Sequence, residues 1–301
     1  MQRREFLKYT AIAGCGLLLG ERLDLIKAAE AAERPDLVVA RGVGKPPSLI
    51  AKSAVEAFGG MKRFISRGDI VVIKPNIAWD RTPEQAANTN PEVVAAIVKL
   101  CFDAGAKKVK VFDRSVNDPR RCYKQSGIAD AASSVGAEVS FVDDRRFKDV
   151  SIKGQVLTSW PLYADALEAD KIINIPIAKH HGLAKLTMSM KNWMGIMGGQ
   201  RGRIHQKIGE CLADICLVVK PTLTVLDAVR VLTTNGPQGG SLADVKRLDT
   251  VIVGRDQVGI DSYGATLFGM KGSDLSYVRA GAKAGLGVMD LSRLKIKKLN
   301  V

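Results

Sequence analysis

The chain has three histidines, His180, His181 and His205, and all of them lie between residues 180 and 205. Imidazole titrates nearest neutral pH of all side chains, so such a cluster suits proton transfer, hydrogen bonding to a substrate, or metal ligation. Asp113 and Asp227 stand at the ends of Val/Ile-rich runs, where a carboxylate would orient an imidazole or help to bind a divalent metal. Two readings stay open on residue type alone. His181, His205 and Asp113 form an acid–base set, and His180, His181 and Asp227 form a metal set. The spacing matches no established metal motif.

Cations supply the complementary half. Lys74, Lys179, Lys191, Arg201 and Arg203 all fall at the tips of strand-like runs or in the loops beyond them. Held together there, they would receive a carboxylate or phosphate, with arginine offering a two-pronged fork. Gly182, Gly195, Gly198, Gly199 and Gly202 would let backbone N–H groups come close to that anion. Trp193, Met194 and Met197 sit at helical spacing and read as packing rather than as a cofactor box. No glycine-rich dinucleotide fingerprint follows a strand-like run, and neither a P-loop nor a serine-centred elbow is present.

These residues need a scaffold that gathers strand ends. Short apolar runs at 37–40, 69–74, 108–113, 138–142, 171–175, 222–227 and 250–254 read as strands buried on both faces. Helical patterns lie between them, at 47–58, 91–104, 119–135, 205–219 and 257–268. Pro91 after Asn90 and Pro119 after Asp118 are helix starts with a capping residue before proline. The alternation predicts an α/β fold, a mostly parallel sheet flanked by helices, in which ligands bind beyond the carboxyl ends of the strands. A strand-rich excursion near 144–163 offers a soft division into two subdomains.

Several short motifs occur in a specific order: Lys74-Pro75-Asn76, then Asn174-Ile175-Pro176 leading into Lys179-His180-His181. Lys191-Asn192 with Gly195 follows, and Val258-Gly259-Ile260-Asp261 closes the series. In this order they resemble a bacterial and archaeal family named only as domain of unknown function 362, over roughly residues 38–287. The resemblance implies a family domain over 32–301. It points to a site that holds Lys74, Asn76, Lys179, Lys191 and Asn192, without naming a reaction; with Arg201 from the cation reading these form the expected substrate-binding set. Some members carry ferredoxin-like iron–sulfur segments; this chain lacks those cysteines, so no iron–sulfur cluster is expected. The family usually has threonine where this chain has His180, which makes His181 the residue that fits the motif.

The first residues read as an address. Arg3-Arg4-Glu5-Phe6-Leu7-Lys8 precedes twelve uncharged residues, Tyr9 to Gly20, in the manner of a twin-arginine export signal. Twelve helical residues reach about 18 Å against the ~30 Å hydrocarbon core, so no stable membrane span is expected. Cleavage after Ala29-Glu30-Ala31 would release residues 32–301 into the periplasm or cell envelope. A cytoplasmic amphipathic helix and lipid attachment at Cys15 are the alternatives. The formal charge is +14; residues 1–31 hold five Lys/Arg and four Asp/Glu, so +13 remains with the rest. Nucleic acid is the usual partner of such a charge, but no recognition motif is present and an exported protein seldom meets it. The expected partners are the twin-arginine translocase and a small anionic ligand. The leading expectation is an enzyme acting on that anion by histidine acid–base or metal-assisted chemistry. A non-catalytic binding or accessory protein of an envelope redox system is the alternative, and attraction to an anionic membrane surface is a third reading.

Overall fold

A strand whose two faces are both apolar is stable only between two layers, and the runs at 70–75, 171–175 and 223–232 meet that condition. The computed structural model describes residues 34–301, and residues 36–301 form a single unit. The expected export signal at 1–31 lies outside the described residues. The strands are β1 (Leu37–Arg41), β2 (Ile70–Pro75), β3 (Lys108–Val111), β4 (Glu138–Val139), β5 (Phe147–Ser151) and β6 (Ser159–Tyr163). They continue as β7 (Lys171–Ile175), β8 (Ile177–His181), β9 (Lys185–Thr187), β10 (Leu223–Leu232), β11 (Val245–Gly254) and β12 (Ile296–Asn300).

The main sheet runs in the order β12-β1-β11-β10-β7-β2-β3-β4, with β8 and β9 attached beside β10. All pairings along that path are parallel except those on either side of β11, which is antiparallel to both β1 and β10. The fold is therefore α/β with a large, mostly parallel sheet. The reversed strand was visible only from Thr250 onward, because its first half, Val245-Lys246-Arg247-Leu248-Asp249, is polar and partly exposed.

Side-chain alternation sends successive residues to opposite layers. Val71 and Ile73 of β2 pack against α1 (Pro47–Ala57) and α2 (Pro91–Asp103), whereas Val72 joins the opposite cluster. Asn90 caps α2 by accepting from the Glu92 N–H, with Pro91 at the first helical position. The helix expected over 119–135 is two short ones, α3 (Pro119–Gln125) and α4 (Ile128–Ser134). Gly127, at φ 70°, breaks them in a conformation that L-residues seldom take. After α5 (Ala164–Glu168) the second layer is built from α6 (Ser189–Asn192), α7 (Ile208–Val218), α8 (Gln257–Thr266) and α9 (Ser276–Lys283). The 144–163 excursion is the β5–β6 hairpin, a separate two-stranded sheet.

The order of the strands creates a crevice. From β2 the chain crosses through α2 on one face to β3; from β7 it crosses through α7 on the other face to β10. Neighbouring strands whose crossovers leave in opposite directions splay the loops at their carboxyl ends, which is where α/β sheets bind ligands.

Candidate active site

That crevice is a cavity of about 630 Å³, and the site side chains in it come from five separated segments. β2 ends in Lys74 and leads to Asn76, β3 leads to Asp113, and β8 carries Lys179 and His181. The one-turn helix α6 carries Lys191 and Asn192, and the 3₁₀ turn Arg201–Lys207 supplies Arg201 and His205. Nine of the eleven residues assigned to the acid–base, metal and substrate-binding sets therefore line one cavity.

Two do not. His180 and His181 are successive residues of β8, so they face opposite sides; the His180 ring lines a different cavity and accepts the Gly236 N–H at Nδ1, 3.0 Å. Asp227 is buried, and both its oxygens are occupied by backbone, Oδ2 by the Asn90 N–H at 2.7 Å and Oδ1 by the Val229 N–H at 2.9 Å. His180, His181 and Asp227 consequently form no ligand set. Among the described residues no group of three or more His, Cys, Asp or Glu side chains is gathered for a metal. Asp113 does not orient a histidine: its Oδ1 lies 2.9 Å from Lys74 Nζ and its Oδ2 accepts the Ile77 N–H at 2.6 Å. Arg203 is exposed and does not line the cavity.

The floor is a ladder of amides. Asn192 Oδ1 accepts from Lys74 Nζ at 2.8 Å and from Asn76 Nδ2 at 3.2 Å, while its Nδ2 donates to Asn174 Oδ1 and to the Lys74 carbonyl. Asn174 Nδ2 in turn donates to the Ser189 carbonyl at 3.0 Å. Asp261, from α8, accepts the Ser189 and Met190 N–H groups at the start of α6, so a buried carboxylate fixes the turn that carries Lys191 and Asn192. Asn174 and Asp261 were visible in the sequence only as parts of motifs, and pattern alone gave them no role. Gly195 has a different task from the one its type suggested. A Cβ there would overlap Asp113 Oδ1 and the end of Lys74, so glycine is required for the ion pair to fit. Met194, expected as packing, lines the cavity and receives Lys191 Nζ at its sulfur, 3.2 Å away.

Charge is unbalanced within this site. Among the described residues Asp113 is the only carboxylate of the lining, and it is paired with Lys74. Lys179 donates to Asn76 Oδ1 and the Ala87 carbonyl, and Arg201 donates to the Met194 and Ser115 carbonyls, so both rest on neutral acceptors. Burial pushes the Lys191 amine down to about 7, helped by the Arg201 and Lys74 charges. Burial lowers Lys74 to about 8 against the opposing pull of Asp113, and it holds Lys179 well below the ordinary lysine range.

The two histidines take complementary forms. His181 Nδ1 accepts the Leu183 and Ala184 N–H groups, which leaves the proton of the neutral ring on Nε2. Burial, with Lys191 adding to it, pushes His181 down to about 3, so the ring stays neutral and Nε2 is a donor. His205 Nδ1 sits 2.9 Å from the Gly202 carbonyl, a contact that only Nδ1–H can make as a hydrogen bond, leaving a lone pair on Nε2. Burial also lowers His205. The rings stack with centroids 5.5 Å apart. One imidazole thus offers a proton and its neighbour a lone pair.

The pattern of the domain of unknown function DUF362 matches residues 71–266. A thylakoid-associated protein of Synechocystis sp. is 28% identical over 208 residues, covering 66% of this chain and 64% of its own length. Two solved structures align at low identity. The lactate racemase apoprotein from Thermoanaerobacterium thermosaccharolyticum aligns with a TM-score of 0.45 and 14% identity, over 74% of this chain and 55% of that one. A protein from Thermotoga maritima aligns with a TM-score of 0.44 and 10% identity, over 80% of this chain and 59% of that one. With the family pattern running through well over half of its length, from the strand that carries Lys74 to the helix that carries Asp261, the chain belongs to the DUF362 family.

Proposed function

We propose that this protein is an enzyme that holds a small anionic molecule, a carboxylate or phosphate, in the β2/β7 crevice and moves a proton on it. The observation that carries this reading is the surplus of basic side chains over carboxylates in the lining, whose charged forms burial disfavours until an anion is present. Lys179, Lys191 and Arg201 surround a cavity whose one carboxylate is already engaged by Lys74. Buried charge without a counterion is costly, and a bound anion removes that cost. The His205 Nε2 lone pair is the acceptor for the proton, and His181 Nε2–H donates a hydrogen bond to the oxygen on which negative charge develops. Asp113 and Asn192 hold Lys74 in place, and Asn76 holds Lys179.

Two measurements test this reading. Sulfate and small carboxylates are expected to raise the melting temperature, while neutral molecules of the same size leave it unchanged. Small hydroxy and oxo acids incubated with the protein in D₂O are expected to lose carbon-bound protons. His205→Gln is expected to lower that exchange by roughly 10²- to 10⁴-fold while keeping anion binding. Anion binding with no exchange on any acid would make the protein a binding module rather than an enzyme. The twin-arginine pattern supports a place of action outside the cytoplasm.

A further inference from the structure

We propose that the Lys191 amine is a nucleophile, and that the anion bound in the cavity carries a carbonyl group with which Lys191 forms an imine. This rests on the crevice being an anion site and names the class of anion, a small oxo acid. The argument starts from what the three cavity lysines touch. Lys74 is tied to Asp113 and Asn192, and Lys179 to Asn76 and the Ala87 carbonyl. Among the described residues Lys191 has only the thioether of Met194, a weak acceptor, and no carboxylate or carbonyl of theirs holds its amine. It is also 7% exposed, sits on a one-turn helix fixed by Asp261 and the amide ladder, and lines the cavity. A lysine buried only to fill space would be expected to find an oxygen. This one is held rigidly with its nitrogen uncommitted, beside Lys179, Lys74 and Arg201, which would receive the carboxylate of an oxo acid.

Burial brings the amine to about 7, so much of it carries a lone pair near neutral pH, the condition for nucleophilic attack. The step balances without a redox partner. The Nζ lone pair forms a C–N bond to the carbonyl carbon while the carbonyl π pair moves to oxygen. One N–H proton passes to that oxygen, giving a carbinolamine. The hydroxyl then takes a proton from solvent and leaves as water as the nitrogen lone pair closes the C=N bond. Amine, carbonyl and one proton become an iminium and one water. The iminium draws electrons from the adjacent carbon, which makes a proton there easier for His205 to accept.

The test uses the full chain purified as it is expressed, with pyruvate as the probe and sodium cyanoborohydride to reduce any iminium to a stable secondary amine. Intact mass and peptide mapping are expected to place one adduct, of the mass of pyruvate less one oxygen atom, on Lys191. Labelling should rise as pH is raised through 7. Lys191→Arg, checked for an unchanged circular dichroism spectrum, is expected to lose the adduct. A control with Lys52→Arg, at an exposed lysine of α1 away from the cavity, separates loss of the attacking amine from a general effect of lysine replacement. If that variant retains labelling at Lys191 the assignment stands, and if it loses labelling as Lys191→Arg does the assignment falls. If pyruvate raises the melting temperature but Lys191 is not labelled above surface lysines, the imine proposal is overturned and the anion site survives. If neither pyruvate nor sulfate shifts the melting temperature and Lys191 is not labelled, both readings fall.

Discussion

At Lys191 and Lys74 an anion held in the proposed site would shift the position of a proton. Unfolded, both amines titrate near 10.5; folded, they titrate near 7 and 8. A depressed pKa stabilises the folded chain fully above the unfolded value, and that contribution is lost as pH falls from 10.5 through 8 and 7. A bound anion reverses the loss by favouring the charged form. The rise in melting temperature produced by saturating sulfate, a fixed dianion, is therefore expected to be larger at about pH 6.5 than at about pH 9. Sulfate binding near neutral pH should also take up protons, measurable by calorimetry in buffers of different ionisation heat. Equal shifts at both pH values would sink the idea. Asp227 and Asp261 act in the opposite sense. Burial raises them to about 6 and 8, so their contribution is lost as pH rises through those values. Stability without ligand mixes the two trends, and the ligand-dependent difference isolates the lysines. The histidine forms are open to a direct check as well. Two-bond ¹H–¹⁵N correlation is expected to find His181 neutral with its proton on Nε2 and His205 with its proton on Nδ1.

Among the elements, α6 and its surroundings concentrate the constraints. Four residues hold Lys191 and Asn192 in place because Asp261 caps the turn and Asn174 braces it from β7. The backbone at Gly195 passes against the Lys74–Asp113 pair with no room for a side chain. Gly195→Ala is accordingly expected to cost about 1–3 kcal/mol, as overpacking of a filled interior does, and to weaken sulfate binding. Gly202→Ala, where an added Cβ meets open space, should stay within about 0.5 kcal/mol. Urea denaturation of the two variants measures the difference. At the start of α2, Asn90→Ala removes the acceptor for the Glu92 N–H and is expected to cost about 1 kcal/mol by the same assay.

For the whole molecule, charge and cysteine burial give two expectations. Cys101, Cys122, Cys211 and Cys216 are buried free thiols, and burial pushes each of them up, Cys211 to about 11. A thiol reagent is expected to react with these four only after denaturation. A fast-reacting thiol among them in the folded protein would contradict the packing described. The twin-arginine reading predicts that Arg3→Lys with Arg4→Lys keeps the chain in the cytoplasm, scored by cell fractionation. Among the described residues no helix is long and apolar enough to cross a membrane.

Residue type and order were enough to specify the alternation of strands and helices, because burial between two layers leaves a mostly apolar run at β2, β7 and β10 whatever the topology. They were also enough to single out most of the cavity lining, because polar groups at strand ends stand out against such runs. What they leave open is which strands become neighbours. His180 and His181 look equivalent in sequence and are separated only by the pleat of β8. Asp113 and Asp227 both end strands, yet one meets Lys74 and the other the amino end of α2. Asp261, seventy residues from Lys191 in the chain, fixes that lysine's helix through contacts that no local pattern encodes. Pairing across such sequence distances is decided by how the sheet is wound. Winding places the β2/β7 switch point under the lysines, and from it come the charge imbalance, the lowered amines and the two histidine tautomers.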